Sequence, residues 1–194
     1  MNKLNKLFWN NRYINKSTQW DLGTVSPPLK NYIDQLENKN LKILIPGCGN
    51  AYEAEYLLNN GFTNITLIDI ATDLVQQLQS KYQNKTNINI IEDDFFLHEG
   101  KYDLILEQTF FCAIDRSLRI DYAKKMHQLL NVNGKLVGVL FNREFEVESP
   151  PFGGNMEEYK NYFQPYFVLK VFETCFNSYH KRANTELFII MIKK

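Results

Sequence analysis

Leu41-Lys42-Ile43-Leu44-Ile45-Pro46-Gly47-Cys48-Gly49 decides the fold of this chain. The run from Leu41 to Ile45 is apolar without strict alternation, the pattern of a strand buried on both faces of a parallel sheet. Pro46-Gly47 stops it, a helical pattern follows through Glu53 to Leu58, and Gly61 is placed as that helix's C-cap. The alternation then repeats. Ile65-Thr66-Leu67-Ile68-Asp69 reads as a second strand, followed by Leu74, Val75, Leu78 and Tyr82 at helical spacing behind a Thr72-Asp73 cap. Ile88, Ile90 and Ile91 mark a third strand, and Tyr102-Asp103-Leu104-Ile105-Leu106 a fourth. Leu118, Tyr122, Met126, Leu129 and Leu130 share one face of a long helix, and Asn133-Gly134 turns the chain into a fifth strand over residues 135–141. Strands separated by helices predict βαβ units, hence a doubly wound, mostly parallel α/β sheet. Residues 167–172 and 187–192 are two further β-runs with no helix between them. They predict an antiparallel hairpin at the sheet edge, making seven strands.

Length and composition bound the rest. A chain of 194 residues with 44% hydrophobic and 23% charged side chains predicts one globular domain over residues 1–194. The 22 basic and 22 acidic residues balance, with no basic stripe of the kind a duplex attracts, so no nucleic-acid partner is expected. No apolar run approaches the roughly 18 residues that span a bilayer. The Met1-Asn2-Lys3-Leu4-Asn5 start has no signal-peptide core, so the expectation is no membrane and a cytoplasmic location. Cys48, Cys112 and Cys175 lack metal-ligand spacing and read as reduced, buried thiols, with no metal expected.

About 40 residues precede the sheet, an N-terminal helical arm (residues 1–40) that the core does not need. Both tryptophans of the chain, Trp9 and Trp20, lie there with Tyr13. Ser26-Pro27-Pro28 starts a helix carrying Leu29, Ile33 and Leu36. Aromatic residues on such an arm either cover the core or close over a ligand at the sheet's carboxyl edge; both readings stand at this point.

In open α/β sheets, ligands bind beyond the carboxyl ends of the strands at the switch point. Gly47 and Gly49 there let the backbone approach a ligand, and Asp69, 20 positions after Gly49, can accept both ribose hydroxyls of an adenosine. A dinucleotide fingerprint needs a third small residue, and that position is Tyr52. S-adenosylmethionine has no pyrophosphate and does not need that glycine, so it is the cofactor expected, with S-adenosylhomocysteine as product. At the end of the third strand, Asp94 can accept from the adenine amino group and Phe95 can cover the base; a capping Asp beside a core Phe is the alternative. The fourth strand ends in Glu107-Gln108-Thr109-Phe110-Phe111-Cys112-Ala113, the segment expected nearest the transferred methyl, and polar Glu107 and Gln108 suggest a contact to the methionine end or the substrate.

At this point the residues resemble the thiopurine S-methyltransferase superfamily, which also holds thiol, halide and thiocyanate methyltransferases. The matching pieces are the arm from Trp9 to Gly23, Leu44-Ile45-Pro46-Gly47-Cys48-Gly49, Leu67-Ile68-Asp69, Asp94-Phe95-Phe96, Gln108-Thr109-Phe110-Phe111-Cys112-Ala113 and Pro150-Pro151-Phe152. The resemblance implies that Trp9, Tyr13 and Trp20 wrap the cofactor. It implies that Gly47 meets the methionine part, Asp69 the ribose, and Asp94 with Phe95 the adenine. Gln108 would face cofactor or substrate, and Pro150-Pro151-Phe152 would border the acceptor pocket. Two departures stand out. Thiopurine-processing members carry Arg where this chain has Gln108, and a glycine common in methyltransferase loops is Ala51 here.

Methyl transfer from a sulfonium is an in-line displacement, so proximity and orientation can carry it. A small soft nucleophile (thiol, hydrosulfide, halide, thiocyanate or a related chalcogen) needs no strong base. That agrees with the lack of an evident triad or acid pair, and no catalytic residue is assigned. Oxygen or nitrogen methylation would need a base, with Glu107 and Asp115 the candidates. A non-catalytic adenosine-binding module is the third possibility. His98, His127 and His180 read as solvated, and Arg143 as either an anion attractor or a surface residue.

Overall fold

A computed structural model describes residues 4–147 and 149–194; residues 1–3 of the start read for targeting signals lie outside the described residues. The sheet has seven strands: β1 (Ile43–Pro46), β2 (Ile65–Asp69), β3 (Ile88–Glu92), β4 (Tyr102–Gln108), β5 (Leu130–Phe141), β6 (Phe167–Thr174) and β7 (Glu186–Lys193). Their spatial order is β3-β2-β1-β4-β5-β7-β6. The first five are parallel, and β7 runs antiparallel to both β5 and β6. This is the doubly wound, mostly parallel sheet with a terminal hairpin that the alternation predicts. The hairpin enters with β6 on the outer edge and β7 filling the place beside β5.

Both faces of the sheet are covered, which is why the central strands read as unbroken apolar runs. Ile43 and Ile45 point to one face, where they pack with Leu29 and Ile33 of α2 (Pro27–Asp34), Leu57 of α3 (Tyr52–Asn59) and Leu74 and Leu78 of α4 (Thr72–Lys81). Leu44, between them, points to the other face. It packs there with Tyr122 and Met126 of α5 (Arg119–Leu129) and Tyr159 and Phe163 of α6 (Met156–Phe163). α2 therefore belongs to the core layer. The segment ahead of it, with α1 (Lys6–Ile14), lies against α4 instead.

Three local details differ from the sequence reading. β5 begins at Leu130, not Lys135: Tyr102 pairs with Leu130 and Leu104 with Lys135, so the residues between bulge out of the ladder, with Asn133 at φ 62°. α4 is not capped by Thr72, whose hydroxyl donates to Glu92 instead. α6 arises where no helix is expected; Asn155 caps it by accepting from the Glu158 N–H at 3.0 Å.

Candidate active site

The carboxyl ends of β1 to β4 open into one cavity of about 320 Å³, at the lower end of the roughly 300–1,000 Å³ usual for small-molecule sites. Trp9, Tyr13, Trp20, Gly47, Asp69, Asp94 and Phe95 all border it. Gln108 and Gly49 border a smaller recess of about 50 Å³, which shares Trp20, Gly47 and Thr109 with the main cavity. The nine residues singled out in the sequence thus gather around two connected spaces.

The turn after β1 holds the strictest geometry. Gly47 has φ +57° and lies so close to Phe110 that a Cβ would stand 2.3 Å from its Cδ2. Gly49, also left-handed at φ +51°, donates its N–H to Asp69 Oδ2 at 3.2 Å. Asp69 Oδ1 accepts from the Ala71 N–H at 3.0 Å. Burial raises the Asp69 carboxyl above its usual range, opposed by these backbone donors. Two donors leave lone pairs on both oxygens, since a carboxylate can accept about four hydrogen bonds. Ala51 takes the left-handed conformation (φ 59°) that the more usual glycine would adopt freely.

β3 delivers the opposite wall. Asp94 Oδ1 accepts from the Phe96 N–H at 2.9 Å, an Asx turn that fixes its carboxylate at the cavity. Phe95 is almost wholly buried, packed edge-on against Phe96 and Phe110 at 5.3 and 5.1 Å. Phe96 borders the cavity with more of its ring exposed.

The arm closes the third side. Trp20 meets Trp9 and Tyr13 edge-on, at 5.8 and 6.0 Å between ring centres. The Trp20 carbonyl accepts from Arg182 at 2.6 Å, a buried side chain from the turn before β7. Asp21 accepts from the Asn50 amide, from the Tyr52 hydroxyl at 3.2 Å and from the Gly23 N–H at 2.7 Å. Burial raises the Tyr13 phenol strongly, with the Asp69 charge adding to it, so the ring stays neutral.

Beyond β4 the chain folds back over the site. Glu107 Oε1 accepts from the Phe110 and Phe111 N–H groups at 2.7 and 3.0 Å, and Oε2 from the Tyr122 hydroxyl. It is fully buried, which pushes its pKa up to about 7, and it does not border the cavity. Asp115 does border it, but its carboxylate is held by the Ser117 hydroxyl and N–H, which lower its pKa. Cys112 borders the cavity as a neutral thiol, its pKa raised by burial to about 12. Phe110, Ile114, Leu118, Pro150 and Pro151 also line the cavity; sequence reasoning placed Phe110 near the transferred methyl but did not single out Ile114 or Leu118 for the site.

One expectation changes, and one open alternative is decided for the surface reading. His98 is buried, not solvated, and shares a 2.8 Å hydrogen bond with the Tyr102 hydroxyl; burial lowers its pKa. Arg143 is an exposed side chain with its guanidinium over Phe145, away from the cavity. All three cysteines are buried and free, as their spacing suggested. Among the described residues, no helix is long and apolar enough to cross a membrane.

These residues fit S-adenosylmethionine. Four carboxylates and no Lys, Arg or His border the main cavity among the described residues, which suits a cationic ligand. Gln108 Oε1 is buried with no hydrogen-bond partner, an acceptor suited to an ammonium donor in the adjoining recess. The indoles and Phe96 supply flat apolar surface for a base.

Comparison with known proteins gives the same reading. The model of the thiopurine S-methyltransferase family matches residues 4–188. The chain is 28% identical over 162 residues to a probable thiol methyltransferase 2 of Arabidopsis thaliana, covering 81% of this chain and 71% of that one. It is 25% identical over 187 residues to a thiopurine S-methyltransferase of Vibrio campbellii, covering 88% and 84%. A Burkholderia thailandensis 1,6-didemethyltoxoflavin-N1-methyltransferase, solved with bound S-adenosylhomocysteine, shares the fold at a TM-score of 0.80 and 13% identity. That likeness covers 97% of this chain and 87% of the other. A TehB-like methyltransferase of Corynebacterium glutamicum does so at 0.69 and 16%, covering 97% and 98%. With its doubly wound sheet, its glycine turn facing Asp69 and its aromatic arm, the chain is a S-adenosylmethionine-dependent methyltransferase and belongs to the thiopurine S-methyltransferase family.

Proposed function

We propose that the enzyme methylates a small soft nucleophile: a thiol, hydrosulfide, a halide, thiocyanate or a related chalcogen. The observation that carries this reading is the chemistry of the acceptor end. Asp69, Asp93 and Asp94 cluster at the ends of β2 and β3, whereas Phe110, Ile114, Leu118, Pro150 and Pro151 make the rest of the lining mostly apolar, with Asp115 its one carboxylate among the described residues. Glu107, the base candidate with the most suitable pKa, has both oxygens turned to Phe110, Phe111 and Tyr122 and away from the cavity. Asp115 is engaged by Ser117 and is too weak a base to deprotonate a phenol or an ammonium. An acceptor that arrives already anionic and polarizable needs only orientation and loss of its water shell. An apolar wall strips weakly hydrated ions at the lowest cost.

When bound, S-adenosylmethionine supplies the electrophilic methyl group. The chain's own residues do the rest. Asp69 accepts from the ribose hydroxyls, Asp94 from the adenine amino group, and Phe95 and Phe96 border the base. Gln108 takes the ammonium of the methionine end, with Gly47 and Gly49 giving its backbone room. Trp9, Tyr13 and Trp20 exclude water, and Thr109 to Ala113 hold the acceptor in line. Two relatives bear the names thiol methyltransferase and thiocyanate methyltransferase, which supports the same class. Oxygen or nitrogen acceptors are the second reading; of the two base candidates, Glu107 and Asp115, only Asp115 borders the cavity, and there it could serve only an acceptor that gives up its proton readily.

The test is a product assay with labelled methyl donor across hydrosulfide, small thiols, thiocyanate, iodide, a thiopurine, a catechol and an amine. The soft acceptors are expected to lead. Preference for the catechol or the amine would overturn the reading.

A further inference from the structure

Arg119 is fully buried at the first position of α5, where a charged side chain needs partners; its Nε has none, and its two terminal nitrogens make all of its hydrogen bonds. Its Nη1 donates to Glu158 Oε1 at 3.0 Å. Its Nη2 donates to the Phe152 and Gly153 carbonyls at 3.2 and 2.9 Å. The guanidinium lies over Phe111 at 4.7 Å and over Tyr159 at 5.4 Å. It does not border the cavity, but two of the residues it grips, Phe111 and Phe152, adjoin residues that do. Pro150 and Pro151, just before Phe152, belong to the mostly apolar part of the lining. Cys112, just after Phe111, lines the same cavity. The two segments are tied directly: the Phe152 N–H donates to the Cys112 carbonyl at 2.7 Å. Behind them, Gly153 passes so close to Arg143 that a Cβ would stand 2.0 Å from its carbonyl oxygen, so the loop cannot relax outward in that direction.

We propose that Arg119 is a positioning residue for acceptor selectivity: by holding the Phe152 and Gly153 carbonyls against the Phe111 ring, it fixes the spacing between Pro150–Pro151 and Cys112. This rests on the assignment of the mostly apolar part of the lining to the acceptor. A planar guanidinium meets two carbonyls, one carboxylate and two ring faces at once. A lysine ammonium offers the charge without the fork or the stacking surface. Replacing it leaves the loop tethered by backbone bonds, Phe152 N–H to the Cys112 carbonyl and Gly154 N–H to the Arg143 carbonyl, with nothing holding the Phe152 and Gly153 carbonyls. None of these hydrogen bonds, ion pairs or ring contacts of Arg119 reaches the residues assigned to the cofactor at the ends of β1, β2 and β3, so loosening it is expected to act on the acceptor and not on the cofactor.

The experiment compares the wild-type enzyme with Arg119→Lys and Glu158→Gln. For each, kcat and KM are measured with a compact acceptor (iodide or hydrosulfide) and a bulky one of the same class (an aryl thiol), and the Kd of S-adenosylhomocysteine by calorimetry. Arg119→Lys is expected to raise acceptor KM about tenfold or more and to change the compact-to-bulky ratio of kcat/KM by at least tenfold. The Kd of S-adenosylhomocysteine is expected to stay within about twofold. Glu158→Gln keeps the carbonyl contacts and is expected to move the ratio in the same direction by less. If Arg119→Lys does not fold, Glu158→Gln decides by the same ratio. An unchanged ratio, or cofactor Kd weakening in step with acceptor KM, would overturn the proposal. If the wild type accepts only oxygen or nitrogen compounds, the soft-nucleophile reading fails by itself. The same ratio taken within that class still decides the role of Arg119.

Discussion

Asn10 and Asp73 hold each other by two hydrogen bonds across the gap between the arm and α4. The Asp73 N–H donates to Asn10 Oδ1 at 2.9 Å, and Asn10 Nδ2 donates to Asp73 Oδ2 at 3.1 Å. α4 has no side-chain cap of its own, so a residue 63 positions upstream satisfies one of its orphan N–H groups. Docking the arm and finishing the helix are one event. Asn10→Ala is expected to cost about 1 kcal/mol of stability, the usual loss on removing an N-cap acceptor. It should also weaken S-adenosylhomocysteine binding, because Trp9 sits one residue before it on α1. Urea unfolding and calorimetry measure the two effects; an unchanged affinity would make the arm a cover for the core and nothing more.

Gly47 gives a sharper test of the cofactor turn. Gly47→Ala forces a methyl group into the Phe110 ring, which Phe95 and Tyr122 hold from behind at 5.1 and 5.9 Å. The left-handed φ adds about 1–2 kcal/mol of strain for any residue with a Cβ. Phe110 lines the cavity, so a shift of its ring changes the cavity's shape, and cofactor affinity should fall by a factor on the order of 10 to 100 while the sheet stays folded. Calorimetry on a variant with native circular dichroism decides. Native affinity would mean the cofactor does not pass over this turn.

Glu107 is expected to leave a signature in the pH dependence of stability. Burial lifts its pKa from 4.5 to about 7, against the opposing hydrogen bonds from Tyr122, Phe111 and Phe110. The folded protein therefore holds this proton more tightly than the unfolded chain does. Its contribution is fully present below pH 4.5 and is lost as pH rises through about 7. Glu107→Gln keeps an acceptor for the two backbone donors and cannot ionise. Wild type should thus lose stability relative to Glu107→Gln between pH 5 and pH 8, read as the difference in Tm. A difference that does not vary with pH would show that Glu107 ionises freely in the fold.

The central sheet was legible because burial on both faces leaves a plain mark: Ile43 to Ile45 and Ile65 to Ile68 can sit nowhere else. The residues around the cavity were legible for a related reason, since glycines at a strand end, a strand-end Asp and aromatic residues on an arm point to the carboxyl edge of the sheet, where the cavity lies. Three things stayed hidden. The start of β5 hid behind Asn133-Gly134, which reads as a turn and in fact shapes a bulge inside the strand. α6 carried its own signal, Asn155 three residues before Glu158, inside a segment that reads as a loop. Arg119 falls on the same helix face as Tyr122 and Met126; an arginine in an apolar stripe is the cue for a buried clamp, but its partners lie more than 30 residues away and only folding brings them together. Distant partners also explain Glu107, whose place at a strand end suits a base equally well until Tyr122 and the two N–H groups are seen on it.

The acceptor class can be read from kinetics without a further structure. A thiol must ionise before it attacks, so its rate should climb as pH nears its own pKa, about 8.5 for a cysteine-like thiol. Iodide carries its charge at every pH. The enzyme's own titrations, Glu107 among them, act on both acceptors alike, so the ratio of kcat/KM for thiol to that for iodide cancels them. That ratio should rise about tenfold per pH unit below the thiol pKa and level off above it, and Asp115→Asn should leave its shape untouched. A flat ratio would mean the enzyme removes the thiol proton itself. If Asp115→Asn then restored the slope, Asp115 would be the base, and the oxygen and nitrogen acceptors would return as the enzyme's substrates.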